Sequence, residues 1–253
     1  MLGAADVGIP LTDDGRAALL PRNVAAFGAG LGVDPEQVRL YLALRESVSQ
    51  RLFVHVPWLR SQLTAAVEAY AAGIHVDPER IQEAAQGIDP SNPEQIQEIL
   101  ASGVFVPDDT PEQLAALARL ETLLALVEGW VDDVVTQASA GRLPAADALR
   151  ETMRRRRATG GPAEHTFATL VGLELRPRRL REAATLWEAV RESRGAEARD
   201  ALWEHPDLLP TADDLDTAAN IDAFVRRSAP LDLSALEGLP EAPREDDSPS
   251  PEE

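Results

Sequence analysis

The chain of 253 residues contains no cysteine, which excludes disulfides, thiolate metal ligands and a cysteine nucleophile. It contains no lysine either: all 24 basic residues are arginine, a usage that points to a GC-rich genome rather than to site chemistry. No apolar run approaches the roughly 18–20 residues needed to cross a bilayer. The opening stretch MLGAADVGIPLTDDGR lacks a basic region followed by an apolar one, so it does not read as a signal peptide, and the expected location is cytoplasmic. Positive charge is also in short supply. Against 24 basic residues stand 43 acidic ones, a formal net charge of −19, and such a surface repels phosphate backbones and anionic membranes. Nucleic acid and membrane are therefore not expected as partners; a protein or peptide partner is.

Apolar residues make up 44% of the chain and charged residues 26%, enough to form a substantial core. Strand signals are poor, because alternating β-branched residues are rare and the periodic segments are rich in Ala, Leu, Glu and Arg. Helix starts recur instead. Asp34-Pro35-Glu36, Asp77-Pro78-Glu79, Asn92-Pro93-Glu94 and Thr110-Pro111-Glu112 each set a capping side chain before a proline suited to the first turn. These signals predict helices at 34–54, 57–72, 78–86, 93–101, 111–139, 144–158, 162–172, 177–194 and 196–204, with a shorter one at 213–227. The fold class is mainly α. The expected organisation is an N-terminal extension over 1–33, a helical domain over 34–239 and a disordered acidic tail over 240–253, where PEAPREDDSPSPEE has too few apolar groups to anchor it.

Three groups of residues could carry chemistry. On the helix 34–54, Arg45, Glu46 and Ser49 fall where an H-E-x-x-H zinc motif would place histidine, glutamate and histidine on one helical face. A guanidinium stays protonated and a neutral hydroxyl is a weak ligand, so on residue chemistry alone this is an ordinary amphipathic turn. On the helix 111–139, Glu121, Glu128 and Asp132 lie at spacings of seven and four along one stripe. Buried there, they need arginine partners or a metal. The third group is Arg154-Arg155-Arg156-Arg157, then Gly160-Gly161-Pro162, then the arginines of 176–181. It could pair with those acids or hold a phosphate at a helix start, although no Walker-type loop accompanies it. His55, His75, His165 and His205 are too widely spaced to form a local ligand pair, and no G-x-S-x-G elbow supports a serine nucleophile.

The blocks Leu44-Arg45-Glu46 through Leu59, Leu120 through Val131, Arg154 through Ala158, Gly160 through Glu164, Leu170 through Arg179 and Trp203 through Pro210 resemble the zincin-like metallopeptidase family of actinobacterial hydrolases, over roughly residues 34–227. The resemblance implies a zincin-like helical fold. It also implies a zinc site in which H-E-x-x-H on one helix is completed by a glutamate from a later E-G segment. Carried over by position, the histidines correspond to Arg45 and Ser49, the catalytic base to Glu46 and the third metal ligand to Glu128, so the motif here is degenerate. Family members usually carry a longer region ahead of the motif helix, and a truncated or short variant is one expectation. The leading expectation is a catalytically degenerate metallopeptidase homologue, a pseudoenzyme serving as a structural or interaction protein, with no cofactor. One alternative is an active metal-dependent hydrolase that binds zinc through recruited groups such as His165 or Glu164. The other is a phosphate-ligand binding module built on the arginine clusters.

Overall fold

The computed structural model describes residues 1–6, 8–12, 15–73, 110–159 and 179–228. Among these residues the regular structure is α-helical, apart from short 3₁₀ turns and one isolated antiparallel bridge between Gly3 and Leu19. The helices are α1 (Pro21–Gly28), α2 (Pro35–His55), α3 (Pro57–Ala72), α4 (Pro111–Ser139), α5 (Ala146–Thr159), α6 (Leu180–Ala201) and α7 (Ala218–Arg227). No described helix is long and apolar enough to cross a membrane.

Local chemistry sets most of the boundaries. Asp34 accepts the Glu36 N–H at 2.8 Å to start α2, and Pro57 ends that helix by opening α3. Thr110 and Gln113 form a reciprocal capping box at the head of α4, with bonds of 3.2 and 2.9 Å. Gly195 interrupts α6 with φ 88° and ψ 169°, which is where the sequence separates a helix over 177–194 from one over 196–204. The expected helix at 213–227 divides into a 3₁₀ turn, Asp213–Leu215, and α7. Helix α1 was not expected: Leu20 precedes it and provides no side-chain cap. The helices expected at 78–86, 93–101 and 162–172, and the tail at 240–253, lie outside the described residues.

α4 runs through the middle of the fold and is buried on most of its faces. On one side Leu120, Leu124 and Val127 join Leu59 and Leu63 of α3 and Leu186, Trp187 and Val190 of α6. Trp187 is fully buried, stacks on Trp203 at 5.4 Å between ring centroids, and donates its indole N–H to the Leu126 carbonyl at 2.9 Å. On the other side Val131 and Val135 meet Val38, Tyr41 and Leu42 of α2 and Leu149 and Met153 of α5. Residues 1–33, set apart as an extension in the sequence reading, contribute Leu2 and Val24 to this second cluster. The boundary expected at residue 33 thus separates side chains that pack together.

Two features of this packing give measurable consequences. A Cβ on Gly129 of α4 would stand 2.7 Å from both the Ala183 Cβ and the Ala184 backbone nitrogen, so α4 and α6 cross at their closest on a residue without a side chain. Gly129→Ala is expected to lower unfolding free energy by about 1–3 kcal/mol, read from urea denaturation. Asp214 accepts hydrogen bonds from Thr211 at 2.8 Å and from Arg227 at 2.5 Å. Burial pushes the Asp214 pKa up, but Arg227 and Thr211 outweigh it and hold the carboxyl below its ordinary value. A depressed folded-state pKa means stability present above the unfolded value of about 3.9 and lost as pH falls through the folded one. Asp214→Asn should therefore destabilise the protein at neutral pH, with the gap to wild type closing on acidification below about pH 4. Thermal melts across that range measure it, and a gap that persists undiminished in acid would contradict the assignment.

Candidate functional site

α2, α4 and α5 meet the N-terminal segment at a buried cluster of charged side chains. α2 supplies Arg45, Glu46 and Ser49, each no more than 7% exposed. α4 supplies Glu128, at 2% exposure, and α5 supplies Arg157. The helical periods of α2 and α4 turn these polar groups toward one another between the two apolar clusters.

Glu128 is held by two guanidinium groups, one on each oxygen. Arg45 donates to Oε2 at 2.5 Å and Arg157 to Oε1 at 2.6 Å. Burial opposes the Arg45 charge, but Glu128, followed by Tyr41 and Asp132, outweighs it and raises the Arg45 pKa above the ordinary arginine value. Burial raises the pKa of the neighbouring Tyr41 phenol, the Arg45 charge acting against it. One helical turn along α4, Asp132 accepts from Arg150 at 2.9 Å and from Arg154 at 2.7 Å. Asp133 faces α6 instead, accepting from Arg191 at 3.1 Å and Arg199 at 2.6 Å.

Glu46 has a different environment. Its carboxylate accepts the backbone N–H of Ala5 at 3.1 Å, the N–H of Ala18 at 3.4 Å and the Gln50 side-chain amide at 3.2 Å. Residues 1–6 lie across it, and the remaining cavity, lined by Gly3, Asp6, Arg45, Glu46, Ser49 and Arg157 among others, has a volume of about 20 Å³. A water molecule needs roughly 10–15 Å³ of such space, so there is room for a water and none for a peptide.

Arg45 thus meets Glu128 directly, and Glu46 and Ser49 line the same cavity as Arg45. Asp132 joins the arginine network beside them, while Glu121, two turns away on α4, lines a separate small pocket with Arg179. Every arginine of the 154–157 run meets a carboxylate: Arg154 meets Asp132, Arg155 meets Glu151, Arg156 meets Asp6, and Arg157 meets Glu128. Arg179 pairs with Asp216 at 2.7 Å and Arg181 lies 3.6 Å from Glu151. His55 ends α2 with its ring nitrogen 2.8 Å from the Arg51 carbonyl, and His205 caps the 3₁₀ turn Pro206–Leu208. His75, Glu164, His165, Arg176 and Arg178 lie outside the described residues. The residue that sequence reasoning missed is Asp6, which accepts the Leu2 N–H at 2.7 Å and an Arg156 donor at 3.1 Å, while its backbone carbonyl accepts from Arg157. No periodic signal marks it.

A zincin-type zinc ion needs three protein ligands with free lone pairs and an open fourth position. Here Arg45 offers a guanidinium, Ser49 a neutral hydroxyl, and both Glu128 oxygens already face arginine. No group of three or more His, Asp or Glu side chains among the described residues is arranged to hold a metal ion. The described donor set does not fit zinc.

Residues 1–221 match the zincin-like metallopeptidase family, and the chain belongs to that family. It is also similar to the crystal structure of a "putative hydrolase with a novel fold" from Chloroflexus aurantiacus, with 21% sequence identity and a TM-score of 0.61. That match covers 90% of this chain and 63% of the other, so this chain spans less than two thirds of its neighbour's length. At that identity the likeness speaks to the fold alone. No curated protein matches the chain.

The pairing at Glu128 makes a direct prediction. Arg45→Met leaves a buried carboxylate with one cation fewer and should cost about 3 kcal/mol, whereas Arg45→Met combined with Glu128→Leu, which also takes a partner from Arg157, should cost less than the sum of the two single changes. Denaturation of the two single variants and the double variant measures the coupling; additive losses would show that the pair is not coupled.

Proposed function

We propose that this chain is a catalytically degenerate member of its family, a non-catalytic protein whose ancestral metal cleft is closed by arginine–carboxylate pairing and which acts as a structural or interaction protein. The observation that carries the reading is Glu128, the carboxylate at the third-ligand position, with a guanidinium on each oxygen at 2.5 and 2.6 Å. A divalent ion placed there would have to displace two fixed positive charges from a low-dielectric site. Glu46 supports the reading from the other side. A general base must reach a reacting water beside its substrate, and this carboxylate, engaged by the N–H groups of Ala5 and Ala18 and by Gln50, faces a cavity with room for a water and none for a peptide. The degenerate motif is thus read as Arg45 and Ser49 replacing two metal ligands, with Glu46 and Glu128 kept for structural work.

The net charge of −19 favours a protein or peptide partner over nucleic acid or an anionic membrane, and the proposed location is cytoplasmic. Elemental analysis of the purified chain, dialysed against zinc and then against buffer, tests the proposal. The expected result is substoichiometric zinc and peptide hydrolysis at the level of the blank. Glu46→Gln should leave that blank unchanged while lowering stability by about 1–3 kcal/mol, because an amide nitrogen then faces backbone donors. One retained zinc per chain, together with hydrolysis that Glu46→Gln abolishes, would overturn the proposal in favour of the metal-dependent hydrolase.

A further inference from the structure

The N-terminal segment is bound as a ligand would be. Residues 2–4 run antiparallel to 18–20, with Leu20 N–H donating to the Leu2 carbonyl at 2.8 Å and Ala4 N–H to the Ala18 carbonyl at 3.0 Å. Ala5 then turns its N–H onto Glu46 at 3.1 Å. The segment's acidic end, Asp6, is received by Arg156 at 3.1 Å, and its carbonyl by Arg157, the same guanidinium that holds Glu128. Small side chains are required along the way. A Cβ on Gly3 would stand 2.7 Å from the Ala18 carbonyl oxygen and collide with the Glu46 carboxylate. Leu2, Ala5 and Asp6 are all buried.

From these contacts we propose that α2, the 18–20 edge and the α5 arginines form a receptor for a short peptide that pairs with the edge, buries a leucine and then turns through small residues to an aspartate, filled in this structure by residues 2–6 of the same chain. Backbone pairing to 18–20 supplies affinity, as in strand addition to an exposed edge. Gly3 and Ala5 fit because the floor is the Glu46 carboxylate, and Asp6 is selected by Arg156 and Arg157. The resident segment is tethered by a short connection, so its effective concentration is on the order of millimolar and an external peptide of the same kind is excluded until the resident is released. This inference rests on the cleft being metal-free. Zinc content reports on that reading and peptide binding on this one, so the two can fail separately.

The test uses the full chain carrying Gly3→Val, which expels the resident segment, and a synthetic peptide of residues 1–12. Backbone amide exchange at Ala5 and Leu20 should accelerate at least about tenfold in the variant, an opening made easier by about 1.4 kcal/mol. The variant should bind the peptide, with Leu20 protected again, while wild type should show no binding at the same concentrations. A peptide carrying Asp6→Ala should bind at least about tenfold more weakly. Unchanged exchange in Gly3→Val, a freely exchanging variant that ignores the peptide at millimolar concentration, or equal affinity for the Asp6→Ala peptide would each overturn the proposal. Should Gly3→Val fail to fold, the full chain carrying Asp6→Ala takes its place with the unsubstituted peptide and is judged by the same exchange and binding criteria.

Discussion

Both oxygens of Glu128 are held by arginine, and the arrangement of three helices follows from that constraint. A carboxylate this deeply buried is strongly destabilising without partners, so α2 must present Arg45 and α5 must present Arg157 at the same height along α4. The apolar contacts on either side are non-directional and would tolerate some sliding. The two charge-assisted bonds do not, because a guanidinium and a carboxylate meet only over a narrow range of geometry. Hydrophobic burial supplies most of the stability, while the Arg45–Glu128–Arg157 bridge fixes the register.

Glu46 and Glu128 are satisfied in opposite ways. Glu128 is met by full positive charges from α2 and α5. Glu46 is met by neutral donors, two of them backbone N–H groups that the N-terminal segment and the 18–20 edge bring to it. Removing either set would leave a buried acceptor unsatisfied, so the segment ahead of α1 is part of the site's chemistry as much as the helices are. Arg157 joins the two halves, since it touches both Glu128 and the Asp6 carbonyl.

Much of the helical frame could be read from local chemistry. Asp34-Pro35 and Thr110-Pro111 mark their helix starts because a capping oxygen and a proline act within one turn, and Gly195 marks a break because its backbone conformation is confined to one residue. α1 was invisible for the complementary reason: it begins without a side-chain cap. The convergence of Arg45 with Glu128 was legible only through the family resemblance, since 83 residues separate them and periodicity says nothing about which helix faces which. The stripe of acids on α4 pointed to arginine partners, yet Glu121 lines a separate pocket with Arg179, and Asp133, which the stripe omitted, pairs with Arg191 and Arg199. The matching of acids to arginines depends on the crossing of α4 with α5 and α6. Asp6 lies in an irregular segment, where neither a helical nor a strand period could have announced it.

A charge carried on a side chain differs from one borrowed from solution. When a metal neutralises a buried acid, the folded population follows the free metal concentration by mass action, and a chelator can unfold the protein. The guanidinium of Arg45 is covalently part of the chain and keeps its proton throughout the physiological pH range. A buried acid neutralised in this way keeps its counter-charge in metal-replete and metal-starved surroundings alike, so that pairing is written into the polypeptide and not into its supply of ions.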